Sequence, residues 1–353
     1  MTRSVFLLEV SIQKFRSIQE PLHLNFVHPS GEPLRRVVMA GPNGAGKTSV
    51  LEAILLALGF EDLIVRDLPA AERGDHWRVE IPPGGDIELQ CRMVSGQLEL
   101  VPPFDAKTNR FTVRRTADEW TICWRGNDDK LEFHSDPVYV RSLLSGLAIE
   151  YFSSWRAPIL PGGMQPSAKG RPLHDNEANR LRRLKQRIIN ERARRAFDRD
   201  SSEPQDEVWL ARLNDVWSAF HQDGSYLDPG TLVSGEDERL FDLFVLEKDG
   251  KRRCSIDQLS SGEIELLSMA GTLILGGFHG LLLIDEPELH LHREWQGQLM
   301  DVLSKMAPNA QLIVATHADA PWDQVYSFER FFLARPDDPR FMGRQAEPPR
   351  SNG

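Results

Sequence analysis

The sequence predicts an α/β fold with a mixed or parallel core sheet, an antiparallel β lobe and a short α-helical insertion. Three patterns carry this expectation. Strand-sized apolar runs alternate with helix-period runs toward both ends of the chain, which implies parallel strands joined by crossovers. Short β-like runs crowd residues 77–133, broken by Gly, Pro and Asn/Asp. Between 176 and 220 the apolar residues change to helical spacing.

Taken in order, "VFLLEVSI", "LHLNF" and "RRVVMAG" read as strands, the last running into a glycine-rich turn. "KTSVLEAILLAL" places Val50, Leu51, Ile54, Leu55 and Leu58 at helical spacing. "WRVEI", "DIELQCRMV", "QLELV", "FTVRR", "WTICW" and "KLEFH" supply the antiparallel sheet. A helix near 138–147 and the strand "IEYFSS" follow, then an irregular loop over 157–172. A basic helix is expected over 176–197, with Leu181, Leu184 and Ile188 on one face. The acidic linker "DRDSSEPQDE" leads to a second helix, "VWLARLNDVWSAF", whose Trp209 and Trp217 pack the insertion. "RLFDLFVLEKDGKRRCSI" reads as a hairpin turning at Asp249-Gly250. The remainder alternates: a helix after Gly262, the strand "LLLID", a helix after His292, and the strands "QLIVATH" and "RFFLA". The domain plan is therefore a split core, 1–153 and 235–335, around an insertion at 154–234, with a loose tail at 336–353.

Composition narrows the class. A chain of 353 residues with 41% hydrophobic and 27% charged residues is ordinary for a soluble globular protein. No apolar run approaches the ~20 residues that cross a bilayer, and the N-terminus turns polar too soon for a secretory signal. A cytoplasmic protein with no membrane partner is expected. Cys91, Cys123 and Cys254 are too few and scattered for a disulfide framework or a zinc cluster. The net charge of −10 argues against a uniformly basic nucleic-acid binder. Residues 169–195 nevertheless hold ten Lys/Arg against three Asp/Glu, so any polyanion contact has to be local.

Four stretches carry chemistry. "GPNGAGKT", 41–48, fits the phosphate-loop pattern and sits between an apolar strand and an apolar helix. Its glycines let backbone N–H groups turn toward phosphate oxygens, and the following helix aims its positive end at the same anion. Gly41, Asn43, Gly44, Ala45, Gly46, Lys47, Thr48 and Ser49 are the candidate nucleotide contacts. Lys47 is suited to the β- and γ-phosphates of ATP, and Thr48 to Mg²⁺. "LLLIDEPELHLH" ends a buried strand with Asp285 and Glu286, one suited to hold Mg²⁺ and the other to polarise a water. Glu288, His290 and His292 in the same stretch are an alternative metal cluster. "LIVATH" ends a third strand with Thr316 and His317, a polar pair able to reach a γ-phosphate. In "DQLSSGEIELL", Ser260, Ser261, Gly262 and Glu263 open a helix and present an anion-binding end.

Phosphate loop, "LSSGE", "LLLIDEP" and "ATH", in that order, resemble the ABC-type ATPases of the SMC/RecF/OLD-like branch. "LSSGE" ends in Glu263 where transporter subunits typically have Gln, and "DEPELHLH" replaces the transporter-style sequence after the carboxylates. "IQKFRSI" also resembles this branch. The likeness covers about 1–155 and 235–335, and extends to short anti-phage ATPases of Septu and retron type. It implies a homodimer, or a higher homo-oligomer, of heads in which ATP on one chain's 41–48 is covered by the other chain's 260–263. It further implies Asp285 as magnesium ligand, Glu286 as general base and His317 as γ-phosphate sensor. Gln165 and Gln90 are the candidates for the family's Q-loop glutamine. With only about 80 residues between Ser154 and Ser234, the chain lacks the long coiled coil of SMC-like members, and no nuclease motif is present. A nuclease or toxin effector would be a separate polypeptide.

The expected function is thus an ATPase coupled to a nucleic acid or an effector, in anti-phage defence or DNA repair. A nucleotide-gated scaffold with little turnover is the alternative, and a transporter subunit a third reading. For the basic helix, 180–195, three readings stand: contact with DNA or RNA phosphates, docking to an acidic partner, and a solvated face balanced by the acidic linker.

Overall fold

Burial on both faces separates the core strands from the rest. In the computed structural model, which describes residues 4–66, 79–94, 109–125, 130–154, 180–197, 205–234, 238–275 and 277–334, β12 (Leu281–Asp285) and β13 (Gln311–Thr316) are buried at every position. Such strands belong inside a parallel sheet covered on both sides. They form one with β3 (Arg36–Ala40), β8 (Ile149–Phe152) and β14 (Arg330–Phe332), in the order β14-β3-β13-β12-β8. Every pair is parallel, which resolves the mixed or parallel expectation.

The second sheet has six antiparallel strands in the order β2-β1-β4-β5-β6-β7. These are β1 (Ser4–Gln13), β2 (Leu22–Asn25), β4 (Asp86–Val94), β5 (Arg110–Thr116), β6 (Trp120–Arg125) and β7 (Leu131–His134). The antiparallel lobe therefore starts at the N-terminus, not at residue 77, and residues 79–81 of the expected strand "WRVEI" join no sheet. Between the sheets runs α1 (Lys47–Leu58), of which every residue but Thr48 is buried, and both sheets share one apolar core with it. The helix stops at Gly59, whose φ of 81° suits glycine and whose missing Cβ leaves room for Trp120. Trp120 in turn donates from Nε1 to Ala57 O at 2.9 Å. The pairing of β1 with β4 shifts register between Leu7 and Glu9. Gln311, fully buried at the start of β13, accepts from Leu7 N at 2.6 Å and donates to Leu7 O and Leu34 O. Short helices α2 (Glu61–Arg66), α3 (Pro137–Leu144) and α9 (Asp319–Asp323) complete this unit, α3 being capped by Asp136 with Pro137 at its first position.

The chain divides into this unit (Met1–Trp155, His279–Glu288, Asn309–Gly353) and a second, Arg156–Phe278 with Leu289–Pro308. The second holds α4 (Arg180–Phe197), α5 (Gln205–Phe220), α6 (Ser261–Leu275), α7 (Arg293–Gln296) and α8 (Leu299–Met306). Its sheet is antiparallel, β11-β10-β9, from β9 (Tyr226–Ser234), β10 (Glu238–Leu246) and β11 (Arg252–Ser255). The hairpin at Asp249-Gly250 is present, but the sequence reading missed β9. Pro229 and Gly230 hide its strand pattern, and Pro is tolerated there because β9 is an edge.

The basic helix α4 differs from its expected character. Leu181, Leu184 and Ile188 are buried as expected, and Leu184 fits against Gly271 of α6, where a Cβ would stand 3.0 Å from its side chain. But Lys185 is buried as well, clasped by Asp242 at 2.6 Å and Asp257 at 2.7 Å, and so is Arg180. Of the α4 cations whose side chains are described, Arg182 and Arg187 are the exposed ones, so the cationic face is narrower than the sequence suggests. The side chains of 191–197, Arg194 among them, lie outside the described residues, as do Gln165, "QLELV", most of the acidic linker and the tail from 336. Among the described residues no helix is long and apolar enough to cross a membrane.

Candidate nucleotide site and signature helix

Three neighbouring strands of the parallel sheet, β3, β13 and β12, end side by side and deliver the first unit's site residues. The loop after β3 needs its glycines. Gly41, Gly44 and Gly46 have φ of 156°, 80° and 95°, a Cβ on Gly41 would strike Leu333 O at 2.2 Å, and one on Gly46 would meet Ile18 at 2.9 Å. The loop closes into the N-terminus of α1, and the buried Lys47 folds back over it, donating to Gly41 O at 2.7 Å and Pro42 O at 3.2 Å. The next residue, Thr48, donates from Oγ1 to Asp285 Oδ2 at 2.8 Å. Two oxygens suited to a hard cation thus meet across 237 residues of sequence.

The segment "KFRSI" braces this loop from the antiparallel lobe. Phe15 and Ile18 exchange hydrogen bonds in a tight turn, with Lys14 and Arg16 at positive φ. Ser17 and Ser49 hydroxyls meet at 2.9 Å, and Arg16 pairs with Glu52, one turn beyond Thr48. Burial pushes the Glu52 carboxyl up to about 7, against the pull of Arg16 and aided by the nearby Asp285 charge. Sequence reading missed Glu52, because an acidic residue inside an apolar helix carries no signal without its partner.

At the end of β12, Asp285 is buried and Glu286 takes a φ of 49°, its N–H held by Ala315 O at 2.7 Å. A non-glycine residue in this region is strained, and such strain is found where a side chain has to be aimed. Glu286 Oε1 lies 3.2 Å from His317 Nδ1. Glu288, also buried, accepts from Thr316 Oγ1 at 2.6 Å and His317 N at 3.2 Å, fixing the turn that carries the histidine. The metal cluster of Glu288, His290 and His292 does not form: Glu288 is committed to Thr316 and His317, and no trio of His, Cys, Asp or Glu among the described residues is placed to hold an ion.

In the second unit, Ser260–Glu263 opens α6. Ser260 and Ser261 are exposed and Gly262 is buried, a Cβ there coming within 2.5 Å of His290 O. Ser260 donates from N and Oγ to Glu263 Oε2 at 2.7 and 2.6 Å, closing a capping box.

A protein-family profile described as "AAA domain, putative AbiEii toxin, Type IV TA system" matches residues 36–320, most of the chain. The chain belongs to this AAA-domain family. Over 106 residues it is 40% identical to the "Septu protein PtuA" of Bacillus thuringiensis, and over 77 residues 35% identical to the "Retron Vc95 probable ATPase" of Vibrio cholerae serotype O1 biovar El Tor. These alignments cover 26% and 18% of this chain, and 26% and 15% of the two relatives. In fold, the AAA-domain protein is similar to SMC head domains. One is an Smc head bound to the C-winged helix domain of ScpA, covered to 91%, and another is a Pyrococcus furiosus head with an extended coiled coil, covered to 92%. Both have a TM-score of 0.50 at 12% identity.

Proposed function

We propose that the AAA-domain protein binds ATP on residues 41–49 and hydrolyses it in a head-to-tail dimer, in which Ser260–Glu263 of a second copy covers the γ-phosphate. The observation that carries this reading is the meeting of Thr48, Asp285, Glu286 and His317 at the ends of adjacent parallel strands, beside a loop that has no room for a Cβ at Gly41 or Gly46. Thr48 and Asp285 would hold Mg²⁺, which when bound supplies charge neutralisation at the phosphate oxygens. Lys47 has the reach to leave the Gly41 and Pro42 carbonyls for phosphate oxygens. Glu286 is aimed to accept a proton from water as the water oxygen bonds to the γ-phosphorus and the bond to ADP breaks. His317, held beside Glu286 through Glu288, is suited to steady the transferred group.

The shared site rests on the anion-binding end of α6, where a capped helix of 15 residues presents polar groups to solvent. The likeness to Septu and retron proteins supports a setting in anti-phage defence with a separate effector. The exposed Arg182 and Arg187 are suited to a nucleic acid or an acidic partner. DNA repair is a further setting for the same chemistry.

Phosphate release by wild type and Glu286→Gln tests the enzyme reading. A drop of about a hundredfold or more is expected on losing a general base. Equal rates would favour a nucleotide-gated scaffold with little turnover.

A further inference from the structure

Glu263 poses a problem that the shared-site reading creates. A carboxylate at the mouth of α6 repels the phosphate that the helix end is meant to attract, and it already occupies the N–H and O–H of Ser260. An amide at this position would not. Its other oxygen, Oε1, lies 2.8 Å from Nε2 of His221, the residue that follows α5. The imidazole is firmly held. It stacks on Trp217 at 3.7 Å between centroids and 10° between planes, and it meets the edge of Trp295 at 4.9 Å. Its Nδ1 lies 3.2 Å from the Trp217 carbonyl oxygen. Both ring nitrogens therefore face acceptors, an arrangement satisfied only when both carry protons. Burial by itself would push the Glu263 carboxyl up, but the hydrogen bonds from His221 and Ser260 outweigh it and hold it at about 2. The carboxylate is ionised, and the imidazole ring stands directly against it.

We propose that His221 is a positioning residue of the signature helix, supplying the cation that neutralises Glu263 and keeps its carboxylate drawn back, so that the end of α6 still accepts a phosphate from a second copy. The inference rests on the shared-site reading. His221 touches neither nucleotide nor reacting atoms in this account. Its effect runs through the charge and placement of Glu263, and it is needed because the residue is an acid. With glutamine at position 263 there would be nothing to neutralise.

A double-mutant cycle tests this. ATP-induced dimerisation and phosphate release are followed against ATP concentration for wild type, His221→Ala, Glu263→Gln and the pair. His221→Ala is expected to raise the ATP needed for half-maximal dimer by about tenfold when Glu263 is intact, and by less than about threefold in the Glu263→Gln background. ATP binding to the separate chain should be unchanged. His221→Gln, which retains a donor and most of the bulk but carries no charge, should fall between wild type and His221→Ala. The same penalty in both backgrounds would make His221 a packing residue of the Trp217–Trp295 cluster and overturn the proposal. So would His221→Gln matching wild type. Thermal unfolding of the nucleotide-free variants gives a second reading independent of turnover: the loss in Tm on His221→Ala should be at least halved by Glu263→Gln, and an equal loss again contradicts the proposal. A wild type that neither dimerises nor releases phosphate would instead defeat the shared-site reading, and the unfolding cycle would still decide whether His221 compensates Glu263.

Discussion

Glu52 shows how a single side chain near the phosphate loop can register pH. It is buried in α1, paired with Arg16, and faces the charge of Asp285. Its carboxyl is raised from 4.5 to about 7, so the folded protein binds this proton more tightly than the unfolded chain. The stability it contributes is full below about pH 4.5 and is lost as pH rises through 7. Glu52→Gln removes the titration. In nucleotide-free protein, the Tm of wild type relative to Glu52→Gln should fall between about pH 5 and pH 8, and a difference that stays constant would contradict the raised carboxyl. Lys47, Asp285 and Glu286 were legible in the sequence because each lies in a short local pattern. Glu52 and His221 were not, and Glu288 was read as a metal ligand, because each acquires its role only from a partner distant in sequence: Arg16, Glu263 and Thr316.

At the scale of elements, α4 and the entry to α6 are tied together. Lys185 joins α4 both to Asp242 of β10 and to Asp257, three residues before Ser260. Asp242 also accepts from Ser255 at 2.6 Å, so the buried lysine and the buried Asp242 sit at the centre of a polar network whose outer members, Asp257 and Ser255, are half-buried. Removing one member of such a network leaves buried charge uncompensated. Lys185→Ala should cost roughly 3–5 kcal/mol of the second unit's stability, measured by denaturant unfolding. A cost near that of an exposed arginine, within about 0.5 kcal/mol, would contradict it. Helical spacing puts Lys185, four residues after Leu181 and three before Ile188, on the apolar face of α4, but it cannot say which acids will meet it there. The core strands were legible for the opposite reason. Burial on both faces of β12 and β13 leaves unbroken apolar runs, whereas β9 carries Pro229 and Gly230 and pairs only on one side.

For the whole molecule, the consequence is assembly. The phosphate loop with its carboxylates lies in one unit and Ser260–Glu263 in the other, and the proposed site draws each from a different copy. Turnover should then depend on encounter between chains, and ATP that is bound but not hydrolysed should hold the pair closed. The most direct measurement is the sedimentation of Glu286→Gln with Mg·ATP, alone and carrying Ser260→Arg. A dimer is expected for the first. For the second a monomer that still binds ATP is expected, because arginine at position 260 fills the space where the other copy's γ-phosphate has to sit. A Glu286→Gln protein that remains monomeric at saturating ATP, or a Ser260→Arg form that dimerises as readily, would contradict the shared site.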